Sequence, residues 1–138
     1  MKTILQIIEK AGGWHPGLHL KIDNPPHKAL FIEAMDESGP CGLPAISVCR
    51  YSEVNGDLMR DPEMCFELGF TGSVHLTVFY YRNDFLGAEQ WSRSIRDGSY
   101  CFHPHRHQRH EELARLWDRA LEHQRFVFAF DPEKHIRG

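Results

Sequence analysis

Asn55 and Gly56 lie between two segments of alternating apolar character, and they constrain the fold more than any other pair in the chain. Both residue types tolerate positive φ, which a two-residue turn between antiparallel strands requires at its central positions. The spacing therefore predicts a strand over 44–51 folding back on a second strand. In that second strand Met64, Phe66 and Leu68 point to one face, while Glu63, Cys65 and Glu67 point to the other, where solvent is expected. Pro62 removes a ladder donor and should mark an edge, a bulge or a strand start. An edge there would leave room for self-association by sheet extension.

The same periodicity extends the sheet in both directions. Leu18, Leu20 and Ile22 alternate with His19 and Lys21 before the Asn24-Pro25-Pro26 turn, and an apolar run over 28–35 follows. Beyond Gly72, Val74, Leu76, Val78 and Tyr80 alternate with His75, Thr77, Phe79 and Tyr81. Both sets carry bulk, so both faces of that strand are expected to be covered. Segment 82–98 gives a mixed signal and stays unassigned. Ile4, Ile7, Ile8 and Ala11 mark one face of a short N-terminal helix, with Thr3 as its cap and Gly12-Gly13 as its stop. Leu113, Leu116, Trp117, Ala120 and Leu121 form the stripe of a C-terminal helix, and 126–130 reads either as a last strand or as a helical extension. These elements define an α+β domain, 1–138, with an antiparallel sheet of about five or six strands and a helix from each end packed on it.

Composition narrows the function classes. A formal net charge of −3 lacks the basic excess that phosphate-backbone binding demands. The arginines at 106, 109, 115, 119 and 125 are interleaved with Glu111, Glu112, Asp118 and Glu122 at helical pairing distance, so nucleic acid is disfavoured as a partner. Gln6 and Glu9 interrupt the first apolar run too soon for a signal peptide, and no later run approaches bilayer length, so a cytoplasmic location is expected. Cys41, Cys49, Cys65 and Cys101 contain no C-x-x-C pair and read as free thiols. No nucleotide-binding, hydrolase or zinc-protease motif is present, and no cofactor is expected.

Two stretches carry the candidate chemistry. In the first, Asp57, Asp61, Glu63 and Glu67 fall close together with Arg60 between them. Hard cations take oxygen ligands and acid/base work needs paired carboxylates, so a divalent-metal or hydrolytic site is one reading. Turn chemistry at Asp57 and Asp61, with Glu63 and Glu67 facing solvent, is the other. The second stretch, 101–110, contains His103, His105, His107 and His110, which read as a solvated loop or as imidazoles converging on zinc or nickel with Cys101.

The run Asn55-Gly56-Asp57-Leu58-Met59-Arg60-Asp61-Pro62-Glu63-Met64, with the later Asn83-Asp84-Phe85 leading to Gly87 and Gln90, resembles a family of small domains of unknown function carried by phages, plasmids and conjugative elements. The resemblance covers 51–90. It implies a mobile-element setting and no particular activity. The expectation is a non-catalytic module that binds a protein partner, such as a host defence protein, through Asp57, Arg60, Asp61, Glu63, Asn83, Asp84 and Gln90, with no bound metal. A metal-dependent enzyme using the four carboxylates is the alternative.

Overall fold

The Asn55-Gly56 turn forms as its residue types require, with φ of 52° and 85° and Val54 paired to Asp57 across it. In the computed structural model, which describes residues 1–70 and 72–133, it joins the two longest strands of a six-stranded antiparallel meander. The strands run in sequence order: β1 (His19–Asn24), β2 (His27–Ala34), β3 (Ala45–Val54), β4 (Asp57–Gly69), β5 (His75–Asn83) and β6 (Ala88–Trp91). A separate hairpin follows, β7 (Arg93–Arg96) and β8 (Ser99–Phe102), turning at Asp97-Gly98 with φ of 52° and 77°. The described residues also form the helices α1 (Lys2–Lys10) and α2 (Pro104–His123) and the single turn α3 (Phe126–Ala129).

All three helices contribute to one core on one face of the sheet. Ile4, Ile7 and Ile8 of α1, Trp117 and Leu121 of α2, and Phe126 meet Leu20, Ile22, Leu30, Ile32, Ile46, Val48, Met64 and Phe66. Each such large apolar side chain contributes about 1.5–3 kcal/mol on burial, so this layer supplies most of the drive to fold. The end of α1 is set by Gly12 and Gly13 at positive φ, where the Gly13 N–H returns to the Ile8 carbonyl at 2.9 Å. Its start differs from expectation. Met1 is the cap residue, and Asp118 of α2 accepts from the Thr3 N–H at 2.9 Å, so a tertiary contact replaces the local cap.

Two bulges set which side chains face away from the helices. Between β3 and β4 the register passes from Cys49↔Glu63 to Tyr51↔Arg60, leaving Arg50 opposite both Asp61 and Pro62. Pro62 therefore marks a bulge in an interior strand, and no sheet edge lies there for self-association. Between β4 and β5 the register passes from Cys65↔Tyr80 to Phe66↔Val78, so Phe79 is extra. Strict alternation would place Tyr80 with Val78. The bulge instead puts Tyr81 in the helix-side core and leaves Tyr80 with Phe79, Ala45 and Cys65 on the other face.

The α2 stripe is also rotated from the predicted one. His110, Ala114, Trp117 and Leu121 are buried, whereas Leu113 and Leu116 are 38% and 61% exposed. The segment 126–130 is the helical extension, with Phe126 and Phe130 buried and Phe128 exposed. Among the described residues no helix is long and apolar enough to cross a membrane.

Gly56 tests the turn directly. A β-branched side chain at φ of 85° is sterically strained, so Gly56→Val should destabilise the fold by roughly 1–3 kcal/mol. Urea unfolding followed by circular dichroism would measure it.

Candidate functional site

The face of the sheet turned away from the helices carries two continuous rows of side chains, fixed by the strand registers. One row runs Lys21, Phe31, Cys49, Glu63, Arg82, Glu89 from β1 to β6. The other runs His19, Glu33, Ser47, Cys65, Tyr80, Trp91. Neighbours within the rows interact as cross-strand pairs do. His19 Nδ1 lies 2.9 Å from Glu33, Arg82 reaches Glu89 at 3.4 Å, and the Tyr80 and Trp91 rings are tilted with centroids 4.9 Å apart. Between the rows and the 35–36 corner, the face dips into an open depression of about 480 Å³ lined by Glu33, Asp36, Glu63, Tyr80, Arg82 and Trp91, among others.

A network of polar contacts organises the middle of this face. Glu63 accepts from the Ser47 hydroxyl at 2.6 Å and pairs with Arg60 Nε at 3.1 Å. Arg60 and Asp84 are locked in both directions along the backbone. The Arg60 N–H donates to the Asp84 carboxylate at 2.7 Å, and the Asp84 N–H donates to the Arg60 carbonyl at 2.9 Å. Arg82 Nε adds a second donor to Asp84 at 2.8 Å. The Arg60 N–H first, and then Arg82, hold the Asp84 carboxyl below the usual carboxylate range. Burial, before any charge effect, pushes the Tyr51 and Tyr80 hydroxyls and the Cys49 thiol up to about 12, and raises Cys65 as well. At neutral pH these four groups are protonated, so Cys49 and Cys65 are poor nucleophiles.

Glu67 forms one wall of the face, and it is where the sequence reading departs furthest from the structure. Expected in solvent, it is 1% exposed. Its carboxylate accepts from Arg93 Nη2 at 2.5 Å and from the Cys41 and Leu43 N–H groups at 2.8 and 3.3 Å. Arg93, itself buried, donates to the Tyr100 hydroxyl at 3.0 Å. Loop 35–44 and the β7–β8 hairpin are thereby fastened to β4. Gly39 packs so close that a Cβ there would lie 2.0 Å from Glu67 Cγ. The available signal for the hairpin was Asp97-Gly98, a pair of the same kind as Asn55-Gly56 within the unassigned segment.

The predicted site residues divide between faces. Arg60, Glu63 and Asp84 converge on the outer face with Arg82, which sequence reasoning did not select. Asp61 lies on the helix side, accepting from Ser52 at 3.1 Å and from Asn83 at 3.5 Å, while Ser52 accepts from Lys28. Asn83 also accepts from the Phe85 and Leu86 N–H groups, building the β5–β6 turn. Gln90 meets buried His110 Nε2 at 3.0 Å, and Asp57 sits exposed at the β3–β4 turn. The two motif words thus join at Arg60–Asp84 and Asp61–Asn83. The four carboxylates at 57, 61, 63 and 67 do not share one pocket. Among the described residues no group of three or more His, Cys, Asp or Glu side chains is placed to hold a metal ion.

From Pro104 onward the histidine stretch is helix, not loop, with His103 as the extended cap residue and Pro104 at a first-turn position that needs no N–H donor. His107 lies 3.1 Å from Ser92 Oγ and 3.1 Å from Glu111. These are the residue types of a hydrolytic relay, but the Ser92 side chain is fully buried and meets no substrate, so the contacts hold α2 on the β6–β7 corner.

Residues 2–127 match a family described as a domain of unknown function, DUF6908. No curated protein matches the chain, and no solved structure does.

Burial, reinforced by Arg106 and Arg109, lowers the His110 pKa to about 4 from an ordinary 6.5. The unfolded chain then binds a proton in this window that the folded protein does not, so stability is lost as pH falls through it. Between pH 6.5 and about pH 5 the loss attributable to His110 should be roughly 1–2 kcal/mol. Denaturant midpoints of the wild type and His110→Gln across that range should converge as pH falls.

Proposed function

The chain belongs to the DUF6908 family of domains of unknown function, and we propose that it is a non-catalytic binding module that docks a protein partner on the outer face of its sheet. The observation that carries this reading is the make-up of that face. Tyr51, Tyr80 and Trp91 stand partly exposed around Arg60 and Arg82, on a sheet surface that the helix layer leaves open. Trp, Tyr and Arg dominate binding energy at protein interfaces: Trp and Tyr bury large apolar area with a polar tip at little cost in rotamer freedom, and Arg adds a planar fork of donors. The charged groups there are held by one another, which gives a partner a preorganised surface.

The resemblance of the two motif words to domains of phages, plasmids and conjugative elements supports the finer part of the proposal, in which the partner is a host protein and a defence protein the leading class. The Arg60–Asp84 lock gives those words a physical role on this face, since it fixes the β4 bulge against the β5–β6 turn.

Affinity capture from a bacterial lysate, run in parallel with variants, tests the proposal. Arg60→Ala removes one partly exposed pair worth up to about 1 kcal/mol and leaves the fold intact. Trp91→Ala should abolish retention of the captured protein and Arg60→Ala should weaken it, while Arg115→Ala, on the exposed side of α2, should leave it unchanged. Equal retention by wild type and both outer-face variants would refute the docking surface.

A further inference from the structure

Building on the outer face as a docking surface, we propose that its depression receives a lysine or arginine side chain from a basic segment of the partner. Charge complementarity selects this occupant. Glu33, Asp36 and Glu63 line the depression together with Arg60 and Arg82. Both guanidinium groups are already committed, Arg60 to Glu63 at 3.1 Å and Arg82 to Asp84 at 2.8 Å and Glu89 at 3.4 Å. Three cations, Lys21, Arg60 and Arg82, against the carboxylates of Glu33, Asp36, Glu63, Asp84 and Glu89 leave the face negative, and His19 offsets Glu33 only when protonated. Asp36 is exposed at the rim and has no ion-pair partner among the described residues.

The apolar part of the depression suits the same occupant. Tyr80 and Trp91 line it with their rings 4.9 Å apart, and Met35 is part of the same lining. A long aliphatic stem can lie on this surface while its cationic head reaches the Asp36 and Glu33 carboxylates. An aromatic face nearby attracts the same cation through its quadrupole. An acidic segment or a phosphate backbone would meet unpaired carboxylates instead, at a cost.

The test uses the full chain, labelled with nitrogen-15, and two short peptides, one alternating Gly with Arg and the other Gly with Glu. The arginine peptide should shift the Trp91 indole and the amides of Met35, Asp36 and Tyr80, and the glutamate peptide should not. In the Glu33→Gln/Asp36→Asn protein the arginine peptide should bind about tenfold more weakly. In Glu9→Gln/Glu122→Gln, which removes the same charge on the helix side, its affinity should be unchanged. Unchanged affinity in the first variant, equal loss in the second, or the same shifts from the glutamate peptide would overturn the inference. If the captured host protein still binds Glu33→Gln/Asp36→Asn but not Trp91→Ala, the cation inference fails while the docking face stands.

Discussion

The Glu67–Arg93 ion pair is the contact on which the functional face depends. It joins residues 26 apart in sequence, and both side chains are nearly sealed from water. A buried carboxylate loses its hydration, and breaking such a pair by removing one partner typically costs about 3–5 kcal/mol because the other charge is left uncompensated. Here the compensation is built from several sources at once: the Arg93 guanidinium, two backbone N–H groups of loop 35–44, and a tyrosine hydroxyl holding Arg93 from behind. Bonded from both sides, the pair fixes where the loop and the β7–β8 hairpin lie. Gly39 permits the arrangement by leaving room for the Glu67 side chain.

The sheet divides its labour between two faces. The helix side is a conventional apolar layer. The outer side exists in its observed form because two bulges re-aim side chains. The extra residue Phe79 turns Tyr80 outward, and the Asp61–Pro62 bulge sends Asp61 toward the helices while Arg60 and Glu63 stay together on the outside. Bulges recur next to functional surfaces for this reason, since they place a side chain where strict alternation cannot.

Local signals were legible in the sequence and nonlocal ones were not. The Asn55-Gly56 turn, the N-terminal helix and the strand succession follow from backbone dihedral preferences and period, which each segment carries by itself. The fate of Glu67 was hidden because its partner lies in a hairpin that only Asp97-Gly98 announced. Tyr80 and Tyr81 exchanged faces because a bulge shifts parity without leaving a mark in the local pattern. The α2 stripe rotated so that His110 could be buried against Gln90 and Tyr81, a polar residue at a position that periodicity assigns to apolar ones. Of the candidate binding residues, Arg60, Glu63 and Asp84 came together, while Asp61, Asn83 and Gln90 serve contacts on the other side.

The Glu67–Arg93 pair holds the wall of the outer face separately from the helix-side core. Hydrogen exchange on Glu67→Gln tests this most directly. The Cys41 and Leu43 amides, which donate to Glu67, should lose most of their protection, and the β7–β8 amides should follow, while Ile46 and Val48 in the middle of the sheet remain the slowest to exchange. Protection lost evenly across all strands, or kept at Cys41 and Leu43, would contradict the account.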